Sequence, residues 1–178
     1  VAVNLYPFRE TIAKPQTTFA QAIEQIDIGG PSMLRSAAKN HASVIVVVDP
    51  DDYSLVLEAL KNSRVTPELR QTLATKVFAH TAAYDAAILA YLTRTADELP
   101  PALTLILHRQ QALRYGENPH QRAALYATDE LRGIRDLRQL HGKELSFNNL
   151  LDVDAAVTAL APWGSERPAC VIMKHTTP

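Results

Sequence analysis

The stretch Ile26-Asp27-Ile28-Gly29-Gly30-Pro31-Ser32-Met33-Leu34-Arg35-Ser36-Ala37-Ala38-Lys39-Asn40-His41 predicts a glycine turn that opens an α-helix. Gly29 and Gly30 allow positive φ and a close approach of another group to the backbone, and Pro31 suits a first helical turn. The free N–H groups of that turn, together with the helix dipole, favour an anion or a polarised oxygen. The stretch therefore predicts a ligand-facing helix start, with Asp27 directly before it.

The helix predicted after this turn has two different faces. The residues of its polar stripe, spaced three and four apart, are Ser32, Arg35, Ser36 and Lys39. The residues predicted to point inward are Met33, Leu34, Ala37, Ala38 and His41. A carboxylate before the helix and an ammonium on its polar face could form an acid–base pair. The residues alone leave a second interpretation open, in which Asp27 only caps the helix and Lys39 is only solvated.

Outward from this stretch, strand-like segments alternate with helical patterns, which predicts an α/β fold with a parallel sheet. The predicted strands are 1–6 and 44–48, and the second is an unbroken β-branched run typical of a buried parallel strand. The predicted helices are 18–25, 53–62 and 67–93. A change in composition at 96–102 predicts a linker. Beyond it, the pattern predicts extended segments at 103–113, 122–127 and 169–173 and a helix at 149–160.

Composition excludes several classes of protein. A net charge of −1 with interspersed acids and bases argues against a nucleic-acid surface or a polybasic membrane patch. No apolar run approaches the roughly 20 residues needed to span a bilayer, so a cytoplasmic protein is expected. Cys170 is the single cysteine, which excludes an internal disulfide, and its apolar surroundings predict a buried, inert thiol. The six histidines have no metal-ligand spacing, so no metal is expected.

Three strings occur in an order that identifies a family. Asn4-Leu5-Tyr6-Pro7-Phe8, the Ile26–Gly30 segment and Ala37-Ala38-Lys39-Asn40-His41 resemble the bifunctional purine-biosynthesis enzymes that join IMP cyclohydrolase to AICAR transformylase. The resemblance implies that the catalytic residues of the cyclohydrolase are Tyr6, Asp27 and Lys39. It also implies that the backbone of Ile28, Gly29 and Gly30 lies against the nucleotide.

Two downstream strings, at 113–121 and 142–152, resemble the beginning of the transformylase domain. The first alone would also fit an ordinary polar loop. The resemblance implies that Arg114, Tyr115 and Asn149 contact the substrate and that His120 assists catalysis. The pair Lys174-His175 follows the last predicted strand, where the family has its catalytic lysine and histidine.

The resemblance also carries expectations for the whole chain. Residues 1–102 would be the later part of the cyclohydrolase domain, with a methylglyoxal synthase-like three-layer parallel sheet. Residues 103–178 would begin the transformylase domain, with a cytidine deaminase-like α/β fold. The expected chemistry is formyl transfer from the co-substrate 10-formyltetrahydrofolate to AICAR, then dehydrative closure of FAICAR to IMP, by an intact homodimer.

The resemblance further places phosphate-binding residues of the family before residue 1 and other transformylase residues after residue 178. This chain alone is therefore expected to hold part of each site. The alternative is a catalytically silent nucleotide-binding or assembly module.

Overall fold

The computed structural model describes residues 1–95, 100–128, 134–164 and 168–176. The chain divides into two compact units, Val1–Thr104 and Leu105–Pro178. The linker predicted at 96–102 lies partly outside the described residues. No helix in the described ranges is long and apolar enough to cross a membrane.

The first unit is built mainly from helices whose starts are set by local caps. They are α1 (Phe8–Ile12), α2 (Phe19–Glu24), α3 (Gly29–Lys39), α4 (Tyr53–Lys61) and α5 (Pro67–Thr93). Thr18 closes a capping box with Gln21, and the Thr66 hydroxyl accepts from the Leu69 N–H before Pro67. The three predicted helices and the helix after the glycine turn are thus confirmed. The short helix α1 lacks a strong sequence signal and was not predicted.

The predicted parallel strands of this unit pair over a shorter length than expected. The Val3 N–H donates to the Val47 carbonyl at 3.0 Å, and the Val47 N–H donates to the Val1 carbonyl at 2.9 Å. The result is one parallel bridge between Ala2 and Val47. Among the described residues these two segments form this single bridge and no longer ladder. The predicted burial is confirmed, because Val46 and Val47 are 0% and 5% exposed.

Helix α3 packs with its apolar face on α5 and on the 44–48 segment. This core includes Leu34, Ala38, Val46 and Val77. The whole polar stripe from Ser32 to Lys39 is exposed, as predicted. The inward placement of Met33 is wrong, because this residue lies at the edge of the apolar face and is 55% exposed. A second core cluster surrounds Phe8, Ala22 and Tyr84.

Ion pairs connect the segment between the parallel bridge and α4 to helix α5. Asp49 accepts the Asp51 N–H at the start of a 3₁₀ turn, Pro50–Asp52. The Lys76 ammonium lies 2.8 Å from a carboxylate oxygen of Asp49 and 2.7 Å from one of Asp52. The hydrogen bond from Lys76 lowers the pKa of Asp49 below its ordinary value.

The second unit contains the antiparallel pair β1 (His108–Leu113) and β2 (Ala123–Ala127), followed by α6 (Phe147–Leu160). The predicted strand at 122–127 is confirmed, while that at 103–113 begins only at His108. No described strand covers 169–173, so that prediction is wrong. Cys170 is exposed rather than buried, because an apolar run is covered only where another layer packs on it, and neighbouring Ile172 is 85% exposed. The class is α/β, but the described sheet is antiparallel.

Candidate active sites

Asp27 joins two separate parts of the first unit through its carboxylate. One oxygen, Oδ1, accepts the Gly30 N–H at 2.7 Å, and the other, Oδ2, accepts the Tyr6 N–H at 3.3 Å. Asp27 directly precedes Ile28, the residue that caps α3, so its charge also lies at the positive end of the helix dipole. The carboxylate therefore ties the segment before α1 to the start of α3.

This arrangement changes the interpretation of the glycine pair. Gly29 and Gly30 belong to the first turn of α3, and neither has positive φ, so that expectation is wrong. Position 30 requires glycine for a different reason, because the Asp27 carboxylate and the Leu5 side chain approach its Cα closely. A Cβ there would collide with the Asp27 carboxylate and would stand 2.7 Å from Leu5 Cδ2, whereas a Cβ at Gly29 would meet nothing within 4 Å. The predicted anion site is thus partly filled by the chain's own carboxylate.

The other two predicted catalytic residues of this unit lie at different places. Tyr6 is 55% exposed, beside the Asp27 carboxylate that holds its N–H. Lys39 is exposed in the last turn of α3. At about 1.5 Å of rise per residue, it lies about 15 Å along the helix axis from Gly29. The structure therefore brings Tyr6, Asp27 and Gly30 together and places Lys39 at the opposite end of α3. Its catalytic role stays a prediction.

Tyr84 of α5 is a residue of this site that the sequence pattern did not single out. Its hydroxyl accepts the Asp27 N–H at 2.8 Å and donates to the Gln25 carbonyl at 2.9 Å. Burial raises the pKa of the Tyr84 phenol. The residue type was the one sequence signal for this contact, because a tyrosine buried on the apolar face of a helix usually has a hydrogen-bond partner for its hydroxyl.

In the second unit, backbone hydrogen bonds bring the loop after β1 to the start of α6. The Arg114 N–H donates to the Leu145 carbonyl at 2.9 Å, and the Phe147 N–H donates to the Tyr115 carbonyl at 3.0 Å. The Arg114 guanidinium lies 4.8 Å from the centre of the Tyr115 ring and 3.2 Å from its hydroxyl. His120 is exposed in the same loop. These residues offer a cation, an aromatic face and an imidazole on one accessible loop.

Asn149 has a structural role that the sequence analysis did not identify. Its Oδ1 accepts from both the N–H and the hydroxyl of Ser146, each at 3.0 Å, and Ser146 Oγ accepts the Asn149 N–H at 3.3 Å. This capping box starts α6. The Asn149 side chain is exposed, and its NH₂ group can still donate to a ligand.

Helix α6 also holds the segment that contains Lys174 and His175. His175 and Thr176 have φ of 52° and 61°, values that are uncommon for residues other than glycine. The Thr176 N–H donates to Asp152 Oδ1 of α6 at 2.8 Å, which anchors this turn. Lys174 and His175 are exposed beside the anchor. Within the described part of the chain, no three metal-ligating side chains converge.

A model of one protein family, the AICARFT/IMPCHase bienzyme, matches residues 37–178. The chain belongs to this family. A relative from Lactiplantibacillus plantarum, the bifunctional purine biosynthesis protein PurH, is 57% identical in an alignment of 180 positions that covers 100% of this chain and 34% of the relative. Proteins of the same name from Streptococcus pneumoniae and Bacillus mycoides are 56% and 54% identical in alignments of 182 positions, which cover 100% of this chain and 35% of each relative.

The chain thus spans about a third of the length of these curated relatives. Among solved structures, the crystal structure of ForH aligns with 55% of this chain and 52% of its own at 38% identity, with a TM-score of 0.46.

Proposed function

We propose that this chain forms part of an enzyme for the last two steps of de novo IMP synthesis. In these steps a formyl group passes from 10-formyltetrahydrofolate to AICAR, and FAICAR then closes to IMP with loss of water. The observation that carries the proposal is membership of the bienzyme family, supported by the name of the relatives. Because the chain spans about a third of those relatives, both activities are assigned to the complete protein.

The two activities are assigned to the two ends of the chain. Residues 1–102 are proposed as the later part of a methylglyoxal synthase-like cyclohydrolase domain, and 103–178 as the beginning of a cytidine deaminase-like transformylase domain. The division into compact units after Thr104 and the parallel bridge between Ala2 and Val47 support this assignment. The complete protein is proposed to be a cytoplasmic homodimer without a resident metal.

Ring closure needs a nucleophilic nitrogen, a stabilised oxygen and a proton for the departing water. The carboxamide nitrogen of FAICAR attacks the formyl carbon, and the formyl oxygen becomes a hydroxyl that leaves as water. Asp27 accepts one hydrogen bond at each carboxylate oxygen in the structure and still has free lone pairs for the amide proton. The exposed Tyr6 phenol, beside Asp27, is the proposed proton donor. Lys39 lies about 15 Å further along α3, so its proposed role as oxyanion partner rests on the family resemblance alone.

Formyl transfer needs a base for a poor aromatic amine and a cation near the formyl oxygen. The amine of AICAR attacks the formyl carbon, the bond from that carbon to the folate nitrogen breaks, and tetrahydrofolate leaves. His175 is the proposed base, Lys174 the proposed cation, and His120 assists. Arg114 suits a phosphate, and Tyr115 and Asn149 suit the aminoimidazole ring and its amide. The anchoring of Thr176 on Asp152 supports a fixed position for this pair.

A test in the complete protein compares two lysines in equivalent helical positions. Lys39 and Lys61 are the basic residues in the last turns of α3 and α4, so each loses the same helix-dipole interaction on substitution. Lys39→Ala should lower the rate of FAICAR closure by at least about 10², while Lys61→Ala should leave it unchanged.

Equal rates for Lys39→Ala and the wild type would contradict the role of Lys39. A complete protein that binds the nucleotides and converts neither would favour the silent binding module.

A further inference from the structure

Tyr84 connects the long helix α5 to the peptide that carries Asp27. The residue is 7% exposed, and its ring lies edge-on to Phe8, with ring centres 6.1 Å apart. This packing fixes the ring, so the position of the hydroxyl is set by the core rather than by solvent. The hydroxyl is the one polar group that this side chain brings to the cluster.

The Tyr84 hydroxyl both accepts and donates a hydrogen bond, and both partners lie in the short segment 25–27. It accepts the Asp27 N–H at 2.8 Å and donates to the Gln25 carbonyl at 2.9 Å. A phenol has one proton to donate, and here that proton is committed to the backbone. The two contacts hold the backbone from Gln25 to Asp27 against α5.

The held backbone determines where the Asp27 carboxylate lies. Its Oδ1 meets the Gly30 N–H and its Oδ2 meets the Tyr6 N–H, so a shift of the peptide would break at least one of these contacts. A chain of contacts therefore runs from the core around Phe8, through Tyr84 and Asp27, to Tyr6 at the surface.

We propose that Tyr84 is a positioning residue of the ring-closing site, whose hydroxyl holds the peptide of Asp27 so that the carboxylate stays between Tyr6 and Gly30. Tyr84 acts through Asp27 and does not touch the substrate. The inference depends on the proposed function of the Asp27 site.

The test uses Tyr84→Phe in the complete protein, with Tyr91→Phe as the matched control. Tyr91 lies on the same helix and packs on the same Phe8 ring, with ring centres 5.8 Å apart. Within the described residues its hydroxyl has no hydrogen-bond partner. Tyr84→Phe should lower kcat for FAICAR closure about tenfold, because a displaced catalytic group loses its alignment, and should change KM less than about twofold. Tyr91→Phe should keep the wild-type kcat.

Amide hydrogen exchange gives a second, independent readout. The Asp27 N–H should exchange at least about tenfold faster in Tyr84→Phe than in the wild type, because it has lost its acceptor. Phe8→Leu disturbs the same packing but retains the hydroxyl and its two hydrogen bonds, so it should lower kcat less than Tyr84→Phe does.

The possible outcomes separate this inference from the proposed function. If the wild-type protein closes no FAICAR, the proposed function fails. If the wild type is active and Tyr84→Phe matches Tyr91→Phe in kcat and in Asp27 exchange, the inference is overturned. An equal loss of kcat in Phe8→Leu and Tyr84→Phe would also overturn it, because packing rather than the hydroxyl would then be responsible.

Discussion

At the residue scale, the two glycines that begin α3 should respond differently to the same substitution. In Gly30→Ala the new Cβ would collide with the Asp27 carboxylate and would stand 2.7 Å from Leu5 Cδ2. We expect the free energy of unfolding to fall by about 1–3 kcal/mol, the usual cost of overpacking.

Gly29→Ala is the matched control, because its Cβ enters open space in a helical residue. It should be neutral or stabilise the protein by up to about 1 kcal/mol. Denaturant titration of both variants measures the difference, and equal stabilities would contradict the close packing of Asp27 on Gly30.

The raised pKa of the Tyr84 phenol predicts that the folded protein loses stability at high pH. Its pKa is raised above the ordinary value of 10.0, first by burial and then by the carboxylates of Asp27 and Asp85. Above about pH 10 the unfolded chain therefore loses this proton before the folded chain does, so the free energy of unfolding falls as the pH rises. Below the unfolded pKa the contribution is fully present.

Denaturant titrations at pH 8 and pH 11 can isolate this contribution. The wild type should lose more stability between the two pH values than Tyr84→Phe, which has no proton to lose. A loss of the same size in both proteins would show that the phenol is not held in its neutral form by the fold.

Single residues also show which contacts of the site could be predicted from the sequence and which could not. Asp27 and Gly30 could be singled out because they stand three positions apart around a helix start, and their contact is local. The partnership of Tyr84 with Asp27 spans 57 positions and depends on how α5 packs, which no local pattern specifies. Cys170 was predicted to be buried from its apolar neighbours, but burial depends on what packs over a segment.

At the scale of elements, Asn149 combines a cap with a proposed substrate contact, and these two roles can be separated. Asn149→Ala removes the oxygen that accepts from Ser146 and should lower the free energy of unfolding by about 0.5–2 kcal/mol without any ligand. Asn149→Asp keeps the acceptor oxygen, replaces the NH₂ donor by a second acceptor oxygen and adds a negative charge in the first turn of α6. It should retain the stability of the wild type and bind AICAR at least about tenfold more weakly, since a lost hydrogen bond at a binding site costs about 1–2 kcal/mol.

Thermal unfolding and equilibrium binding measure the two roles of Asn149 independently. Wild-type affinity in Asn149→Asp would remove this residue from the substrate site. Unchanged stability in Asn149→Ala would contradict the capping box.

The helices α2 to α6 were predicted closely because helix end signals are local, whereas among the predicted strands only the one at 122–127 was predicted closely. Thr18, Thr66 and Ser146 each mark a helix start within three residues of the N–H they accept. A strand is defined by a partner that can lie far away in the chain, as Val3 and Val47 do. For the apolar run at 44–48, the prediction of burial was therefore correct and the predicted length of the pairing was not. For the run at 169–173, the predictions of burial and of strand pairing were both wrong.

At the scale of the whole molecule, the two groups of proposed site residues fall in different compact units. Tyr6, Asp27 and Lys39 belong to Val1–Thr104, and Lys174 and His175 belong to Leu105–Pro178. Each group is held by hydrogen bonds within its own unit, from Asp27 to Gly30 in the first and from Thr176 to Asp152 in the second. The two chemistries can therefore be damaged one at a time.

Because the two groups of residues lie in different units, we expect one substitution in each unit of the complete protein to slow only one of the two reactions. His175→Ala should lower formyl transfer to AICAR by at least about 10², the usual contribution of a positioned base, and should leave closure of supplied FAICAR at the wild-type rate. Lys39→Ala should do the reverse. Separate assays, one supplied with AICAR and the formyl folate and the other with FAICAR, measure each step without the other. A substitution that lowered both rates by the same factor would contradict this independence, because it would indicate an effect on folding or on one shared site.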